Sequence, residues 1–393
     1  MTTLRLKKGE EKRLSSGHLW VFSNEIDTAV TPLKGIEPGQ PVTVERANGQ
    51  FLGFGYANPH SLISARIVSH QSNKPWDAAL LCERLSIALG LRERMHEIPY
   101  YRWVHSEGDL LPGLVVDRYN DLLVVQINTA GMERFKDDIV KALSKHDNVN
   151  HIVFRNDNAI RELEQLPLYR ETALGNPPEA LVIVENELEF KVPAELGQKT
   201  GWFYDHRNSR MALRNWVKGK RVLDLYTYLG AFGLNAATAG AASVLAIDSS
   251  EVAVSAANEN AAANGLSDVF TAKQDDAVET MRALYTAGEL FDVVVLDPPA
   301  FIKKRKDRDA GMRHYQLNNR LAMRLLNPGG LLLSASCSQA LDMQALQKVI
   351  QESKPKLSPG LQILEHHYQA ADHPAHLSMP ESLYLKGLLV KVL

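Results

Sequence analysis

The sequence predicts an α/β protein whose C-terminal part is a doubly wound parallel sheet, preceded by a small β-barrel domain and a central α+β domain. From about residue 185 onward, short apolar runs alternate with helical patterns in a βαβ rhythm. Before about residue 72 the apolar runs are short and separated by turn signals, as in a small barrel. A chain of 393 residues also accommodates two or three domains at about 150 residues each. The expected domains are residues 1–72, 73–184 and 185–393.

In the first domain, residues 41–46 (PVTVER) alternate apolar and polar as a half-buried strand does. Asn48-Gly49 follows as a tight hairpin signal. Residues 51–56 (FLGFGY) and 64–68 (SARIV) are the next strands, with a turn at Asn58-Pro59, and residues 71–75 read as a linker. In the second domain, residues 77–94 place Leu80, Leu81, Leu85, Ile87 and Leu91 at helical spacing. Strands are expected over 101–104, 113–117, 122–127 and 152–155, with a helix over 134–143. In the third domain, strands over 221–225, 243–247, 270–273, 291–296 and 330–335 alternate with helices. One helix spans 251–264, closed by Gly265, and another 311–326, closed by Asn327-Pro328-Gly329-Gly330. Residues 362–366 and 384–393 are expected to pair antiparallel at the sheet edge.

Hydrophobic residues make up 45% of the chain, charged residues 23%, and the net charge is −2. That composition excludes disorder, collagen-like repeats and coiled coil. It opposes wholesale polyanion binding but leaves room for a local basic face. No apolar run approaches the ~18–20 residues of a membrane helix, and the N-terminus has no apolar signal region. Cys82 and Cys337 are too few for a disulfide framework or a four-Cys zinc site. The expectation is a reduced, cytoplasmic protein with no metal and no membrane association.

Open parallel sheets bind ligands at the carboxyl ends of their strands. Here strand after strand ends in polar residues. The first runs through Asp224-Leu225-Tyr226 into a loop carrying Gly230, Phe232 and Gly233. This is not the closely packed glycine loop that a pyrophosphate needs. Its bulk suits a ligand without phosphate, such as S-adenosylmethionine, whose cationic groups Asp224 would complement. The second strand ends at Asp248, 18 residues past Gly230, which is about where an acidic residue accepts from ribose hydroxyls. The competing role is helix N-cap, shared with Ser249 and Ser250. Asp275 and Asp276 follow the third strand, and either carboxylate suits an adenine amino group. The fourth strand ends Asp297-Pro298-Pro299-Ala300-Phe301, where the prolines fix a rigid turn and Phe301 offers a ring for a planar base. The fifth ends Ser336-Cys337-Ser338, placing a candidate nucleophile beside the Asp297 loop. Cys82, on its helix, reads as a small apolar residue. Gly197-Gln198-Lys199-Thr200-Gly201-Trp202-Phe203-Tyr204-Asp205-His206-Arg207 is dense in polar and aromatic residues and is a candidate lid, with Asp205 and Arg207 toward the cofactor.

Together, residues 197–207, 224–233, Asp248, 297–301 and 336–338 resemble the class I large-subunit (23S) rRNA cytosine-5 methyltransferase family. The resemblance extends over essentially the whole chain. His18-Leu19-Trp20-Val21-Phe22-Ser23 is similar to the opening of that family's PUA domain. Glu107-Gly108-Asp109-Leu110-Leu111-Pro112-Gly113 and the following residues to Tyr119 are similar to its central signature. Ala371-Asp372-His373-Pro374 and residues 380–387 are similar to its C-terminal segment. Leu19 stands where a proline is usual, and Ala300 where a lysine often follows the prolines.

The resemblance implies a PUA-like RNA-binding domain, a Rossmann-like methyltransferase domain, S-adenosylmethionine as cofactor and 23S rRNA as partner. It implies that the Cys337 thiolate adds to cytosine carbon 6 and that Asp297 hydrogen-bonds the N3/N4 edge. The target base would be unpaired or flipped out, so naked or partly assembled RNA is the expected substrate. Lys303, Lys304, Arg305 and Lys306 follow the substrate loop as phosphate contacts, while Lys7, Lys8, Lys12 and Arg13 form a weaker basic cluster. Three other readings stay open: an exocyclic-nitrogen RNA methyltransferase, a small-molecule methyltransferase, and a non-catalytic RNA-binding protein. The sequence leaves monomer and homodimer both open, and it does not name the base that removes the carbon-5 proton.

Overall fold

The computed structural model describes residues 2–193, 201–302, 304–356 and 358–393. By packing, the chain forms two compact units. The first holds the chain up to Pro178 together with Trp202 and Ala371–Ser382; the second holds the chain from Glu179, Phe203–Ala370 and Leu383–Leu393.

In the first unit, strands Thr2–Arg5, Gln40–Glu45, Phe51–Ala57, Ile63–Ser69 and Trp20–Phe22 form a five-stranded sheet in that order. Gly49, at positive φ, turns the expected hairpin. The first and last strands of that order are four and three residues long, too short to show a period in sequence. Tyr169–Leu174, His151–Asn156, Leu122–Ile127, Leu114–Tyr119 and Tyr100–His105 form the second sheet in that order. Tyr169–Leu174 is an edge strand with exposed Arg170 and Glu171, which hid it from a reading based on apolar alternation. The helix Ala78–Met95 starts where Asp77 accepts the Leu80 N–H at 2.9 Å, and Cys82 packs half-buried against the apolar core.

Polar contacts weld these two sheets into one unit. Buried Arg66 pairs with buried Glu164 at 2.8 Å, and Asn58 donates to the Glu164 carbonyl at 3.0 Å. The Tyr56 hydroxyl donates to the Pro112 carbonyl at 2.5 Å, and the Trp20 indole N–H to Glu107 at 2.8 Å. The Glu107–Tyr119 and Asp372–Pro374 motifs also meet each other. Buried Arg92 bonds Asp109 at 2.6 Å and the Asp372 carbonyl at 2.7 Å, while Asp372 accepts the Arg102 backbone N–H at 3.1 Å. These contacts give both motifs a structural role.

The second unit begins with the antiparallel hairpin Leu181–Glu185 and Leu188–Val192. Its main sheet has seven strands: β1 (Arg221–Leu225), β2 (Ser243–Asp248), β3 (Phe270–Gln274), β4 (Phe291–Leu296), β5 (Leu326–Ser336), β6 (Leu361–Tyr368) and β7 (Lys386–Val392). Their order is β3-β2-β1-β4-β5-β7-β6. The first five run parallel, and β7 is antiparallel to both β5 and β6. The central strands are apolar runs because both faces are covered by helices: α1 (Ala231–Thr238), α2 (Glu251–Ala263), α3 (Ala277–Thr286), α4 (Arg308–Arg324) and α5 (Met343–Ser353). β5 begins four residues before the expected Gly330 because Leu326 already pairs with Phe291. The Asn327–Gly330 stretch then shifts the register as a bulge. The order reverses between β1 and β4, so the crevice for a ligand opens at the ends of β1, β2, β4 and β5. No described helix is long and apolar enough to cross a membrane.

Removing Glu164 leaves the Arg66 charge buried without its partner, so Glu164→Ala is expected to cost about 3–5 kcal/mol. A urea titration followed by circular dichroism checks this. A loss under about 1 kcal/mol would mean that solvent reaches the pair.

Candidate active site

Near the end of β1 stands Asp224, which is 1% exposed. One carboxylate oxygen accepts from the Thr227 hydroxyl at 2.6 Å and from the Gly233 N–H at 2.9 Å. The other, Oδ1, is buried with no hydrogen-bond partner among the described residues. Burial pushes this carboxyl up to about 7, against the two hydrogen bonds and with help from the charges of Asp297 and Asp248. A buried acceptor ringed by carboxylates is a site for a cation. Gly233 has no alternative here, since a Cβ would lie 2.6 Å from the Phe270 ring and 3.1 Å from Asp224 itself.

The loop after β1 holds Tyr226, Tyr228 and Gly230 at positive φ. For the two tyrosines this costs about 1–2 kcal/mol each. Tertiary bonds hold the shape: the Tyr226 hydroxyl donates to Asn318 at 2.7 Å, and the Tyr228 N–H donates to Asp248 at 2.9 Å. Burial, reinforced by the charge of Asp276, pushes the Tyr226 phenol up to about 12. Asp248 also accepts the Ser250 N–H at 3.0 Å. The cap of α2 is Ser250, whose hydroxyl accepts the Ala253 N–H at 3.3 Å. Asp248 is therefore a loop clamp at the tip of β2, not the helix cap. The aspartate pair after β3 divides similarly. Asp276 caps α3 through Oδ1, at 2.9 and 3.0 Å from two backbone N–H groups, whereas Asp275 accepts its neighbour's N–H at 2.8 Å.

At the end of β4, Asp297 pairs with Nε2 of His206 at 3.2 Å. His206 is 5% exposed and its Nδ1 has no partner among the described residues. Burial pulls this imidazole down, but the charge and hydrogen bond of Asp297, with Asp205 beside it, outweigh that and raise it above 6.5. His206 stood only as one letter in the lid motif. Its significance comes from a partner distant in the chain. Asp205 accepts the Tyr384 hydroxyl at 2.5 Å, and Arg207 pairs with Glu185 at 3.3 Å while covering the Tyr204 ring. Both residues are thus engaged within the unit. Phe232 is buried, edge-on to the His206 ring. Gly197, Gln198, Lys199 and Thr200 lie outside the described residues.

Beyond Asp297, Pro298 is buried and Pro299 exposed. The Phe301 ring packs against His314 and Tyr315 of α4, centroids 5.5 and 4.9 Å away. That helix comes so close that a Cβ on Gly311 would lie 2.4 Å from Ile302. The buried Tyr315 hydroxyl ties the two loops together: it bonds Ser336 and Ser338 at 2.8 Å each and accepts the Phe301 N–H at 3.4 Å. Cys337 lies between those serines. It lines a cleft of about 640 Å³ with Ala300, Ile302, Lys304, Arg308, Ser338 and others, including Tyr384. Lys304 thus shares the cleft with the thiol, and Arg308, from the first turn of α4, joins it. Phe301 is directed to the core instead, and Lys303 lies outside the described residues. In the other unit Arg13 pairs with Glu25 at 2.7 Å and donates to the Trp20 carbonyl, so that basic cluster is partly spent on internal contacts.

Comparison with known proteins defines the class. The S-adenosylmethionine-dependent methyltransferase family matches residues 156–389, and the PUA-like domain family matches residues 4–70. The chain is 37% identical over 396 residues to a ribosomal RNA large subunit methyltransferase I from Shewanella denitrificans and 36% identical over 397 residues to one from Erwinia tasmaniensis. Each match covers 99% of both chains. Among solved structures, a SAM-dependent methyltransferase from Streptococcus mutans superposes with a TM-score of 0.85 at 21% identity, covering 100% of both chains. A methyltransferase structure complexed with SAH gives 0.86 at the same identity and coverage. The protein is an S-adenosylmethionine-dependent methyltransferase with a PUA-like N-terminal domain. It belongs to the family that includes the ribosomal RNA large subunit methyltransferase I proteins. The Oδ1 of Asp224, without a partner among the described residues and near the charges of Asp297 and Asp248, fits the cationic end of that cofactor.

In the ligand-free chain, folding holds a proton on Asp224 that the unfolded chain has released. Its contribution to stability is complete below the unfolded value of 3.8 and is lost as pH rises through about 7. The raised His206 has the same sign: its contribution is present below 6.5 and is lost as pH climbs through its higher folded value. Asp224→Asn is therefore expected to gain stability relative to wild type between about pH 4 and about pH 8. Urea midpoints across that range check this, and parallel curves for the two proteins would contradict it.

Proposed function

We propose that this enzyme methylates carbon 5 of a cytosine in large-subunit (23S) rRNA, in the cytoplasm, through a covalent adduct on Cys337. The observation that carries the reading is the placement of Cys337 in a cleft with Lys304 and Arg308, beside the Asp297 loop. The family relatives act on ribosomal RNA of the large subunit by name, which supports RNA as the substrate class.

The residues suit the parts this reaction requires. Asp224 holds the cationic end of the cofactor, Asp248 the ribose and the Asp275–Asp276 pair the adenine, with Tyr226, Gly230 and Phe232 shaping the pocket. When bound, S-adenosylmethionine supplies an electrophilic methyl group. Carbon 5 of cytosine is a poor nucleophile, so the Cys337 thiolate adds to carbon 6 and converts the ring to an enamine. Asp297, held by His206, accepts from the cytosine N3/N4 edge, and Pro298 and Pro299 keep that loop stiff. After methylation, loss of the carbon-5 proton expels the thiolate and restores the aromatic ring. The base must leave its stack to reach the cleft, which favours unpaired or partly assembled RNA. Lys304 and Arg308 contact the flanking phosphates.

The test is methyl transfer to ribosomal RNA from cells lacking this protein, with the product nucleoside identified. Wild type is expected to give 5-methylcytidine and Cys337→Ala none. Methylation by the variant would move the reading to an exocyclic nitrogen, which needs no thiol. In the same preparations, Lys304→Ala and Arg308→Ala are expected to weaken single-stranded RNA binding. Each should reduce the slope of log affinity against log salt by about 0.7 per lost phosphate contact. An unchanged slope would remove them from the interface.

A further inference from the structure

We propose that Lys386 is the positioning cation for Cys337: its buried ammonium, anchored on the backbone beside the thiol, holds that cysteine in the thiolate form. The inference deepens the covalent reading above and rests on it for its catalytic meaning.

The placement follows from strand order. β7 is antiparallel to β5, and Lys386 pairs with Ser336, the residue before Cys337. The lysine side chain is 95% buried, counting its 5% exposure. Its Nζ donates to the carbonyl of Ser338, the residue after Cys337, at 2.5 Å and to the carbonyl of Tyr384 at 2.6 Å. An ammonium has three N–H donors, so these two bonds leave one. The cation is thereby fixed between the residues that flank the thiol, and Cys337, Ser338 and Tyr384 all line the same cleft.

A lysine is rarely buried without a carboxylate in contact. No carboxylate lies within ion-pair distance of Lys386 among the described residues. Burial pulls its ammonium down to about 8, and the charges that oppose this are Cys337 first and then Asp342, the cap of α5. The thiol releases its proton to solvent while the ammonium keeps its own, so the thiolate–ammonium pair forms with no other reactant. Among the described residues, other charged or titratable groups around the thiol include Lys304 and Arg308 in the cleft, Tyr384 from the segment before β7 and Tyr315 from α4. The two cations reinforce the same effect. Tyr315 has burial against ionisation and stays neutral.

The experiment is iodoacetamide alkylation of Cys337 as a function of pH, in the full chain with Cys82→Ser, with site and extent read by mass spectrometry. The half-point is expected well below the ~8.5 of an ordinary thiol. Lys386→Met should raise it by about one unit, slowing alkylation near pH 7 by about tenfold, and Lys386→Arg should keep it low. Methyl transfer by Lys386→Met should fall at neutral pH and recover as pH is raised along the alkylation curve. A role confined to packing would not produce that recovery. An ordinary half-point in the Lys386-containing protein would overturn the proposal, and needs no variant that must fold. So would identical half-points in Lys386-containing protein and Lys386→Met. The alkylation curves use no RNA and no cofactor. Methylation by Cys337→Ala would therefore overturn the covalent reading while leaving the thiol–lysine pairing to stand or fall on these curves.

Discussion

The buried carboxylate at the end of β1 is the constraint on which the second unit depends. Asp224 sits where the strand order reverses, at a depth where an unpaired charge is costly. Its bonds to Thr227 and Gly233 bring the start of α1 back onto the strand end. The chain between carries Tyr226 and Tyr228 at positive φ. Asp248 completes the arrangement by accepting the Tyr228 N–H from the next strand. The strained loop and the raised carboxyl are therefore one feature, and a bound cation relieves the electrostatic part of it. Local instability of this kind is usual where a site is preorganised for a ligand.

A second knot lies on the other side of the switch point, where a hydroxyl replaces the carboxylate. Tyr315 reaches from α4 to both serines flanking Cys337 and to the backbone of the Asp297 loop. Gly311 permits this by letting α4 approach Ile302. Lys386 closes the knot from β7. The segment carrying the cysteine is thus held by Tyr315 from α4 and Lys386 from β7, neither adjacent to it in sequence. The Asp297–His206 pair belongs to the same logic: a carboxylate at a strand end is held by a buried imidazole.

In the first unit, buried charge serves cohesion. Arg66 with Glu164, and Arg92 with Asp109 and the Asp372 carbonyl, are pairs whose members are stable only together. That gives the polar motifs beginning at Glu107 and at Asp372 a structural use. Their polar groups are consumed by each other, across the fold from one segment to another.

Much of the architecture could be read from the chain alone because strand and helix periods are local. The alternation of apolar runs and helical spacing located β1 to β4 nearly residue for residue, and it placed Asp224, Asp248, Asp297 and Cys337 at strand ends. Strands without a local period escaped it: Thr2–Arg5, Trp20–Phe22 and the charged edge strand Tyr169–Leu174 exist because a neighbour's ladder accepts them. What each polar residue does was decided only by tertiary structure. Asp276 became a helix cap and Asp248 a loop clamp, the Phe301 ring turned toward α4, and His206, Tyr315 and Lys386 acquired partners far away in the chain. The physical reason is range. Periodicity records which face of an element is buried, whereas a hydrogen bond or ion pair depends on strand order and helix approach, which no short window of sequence contains.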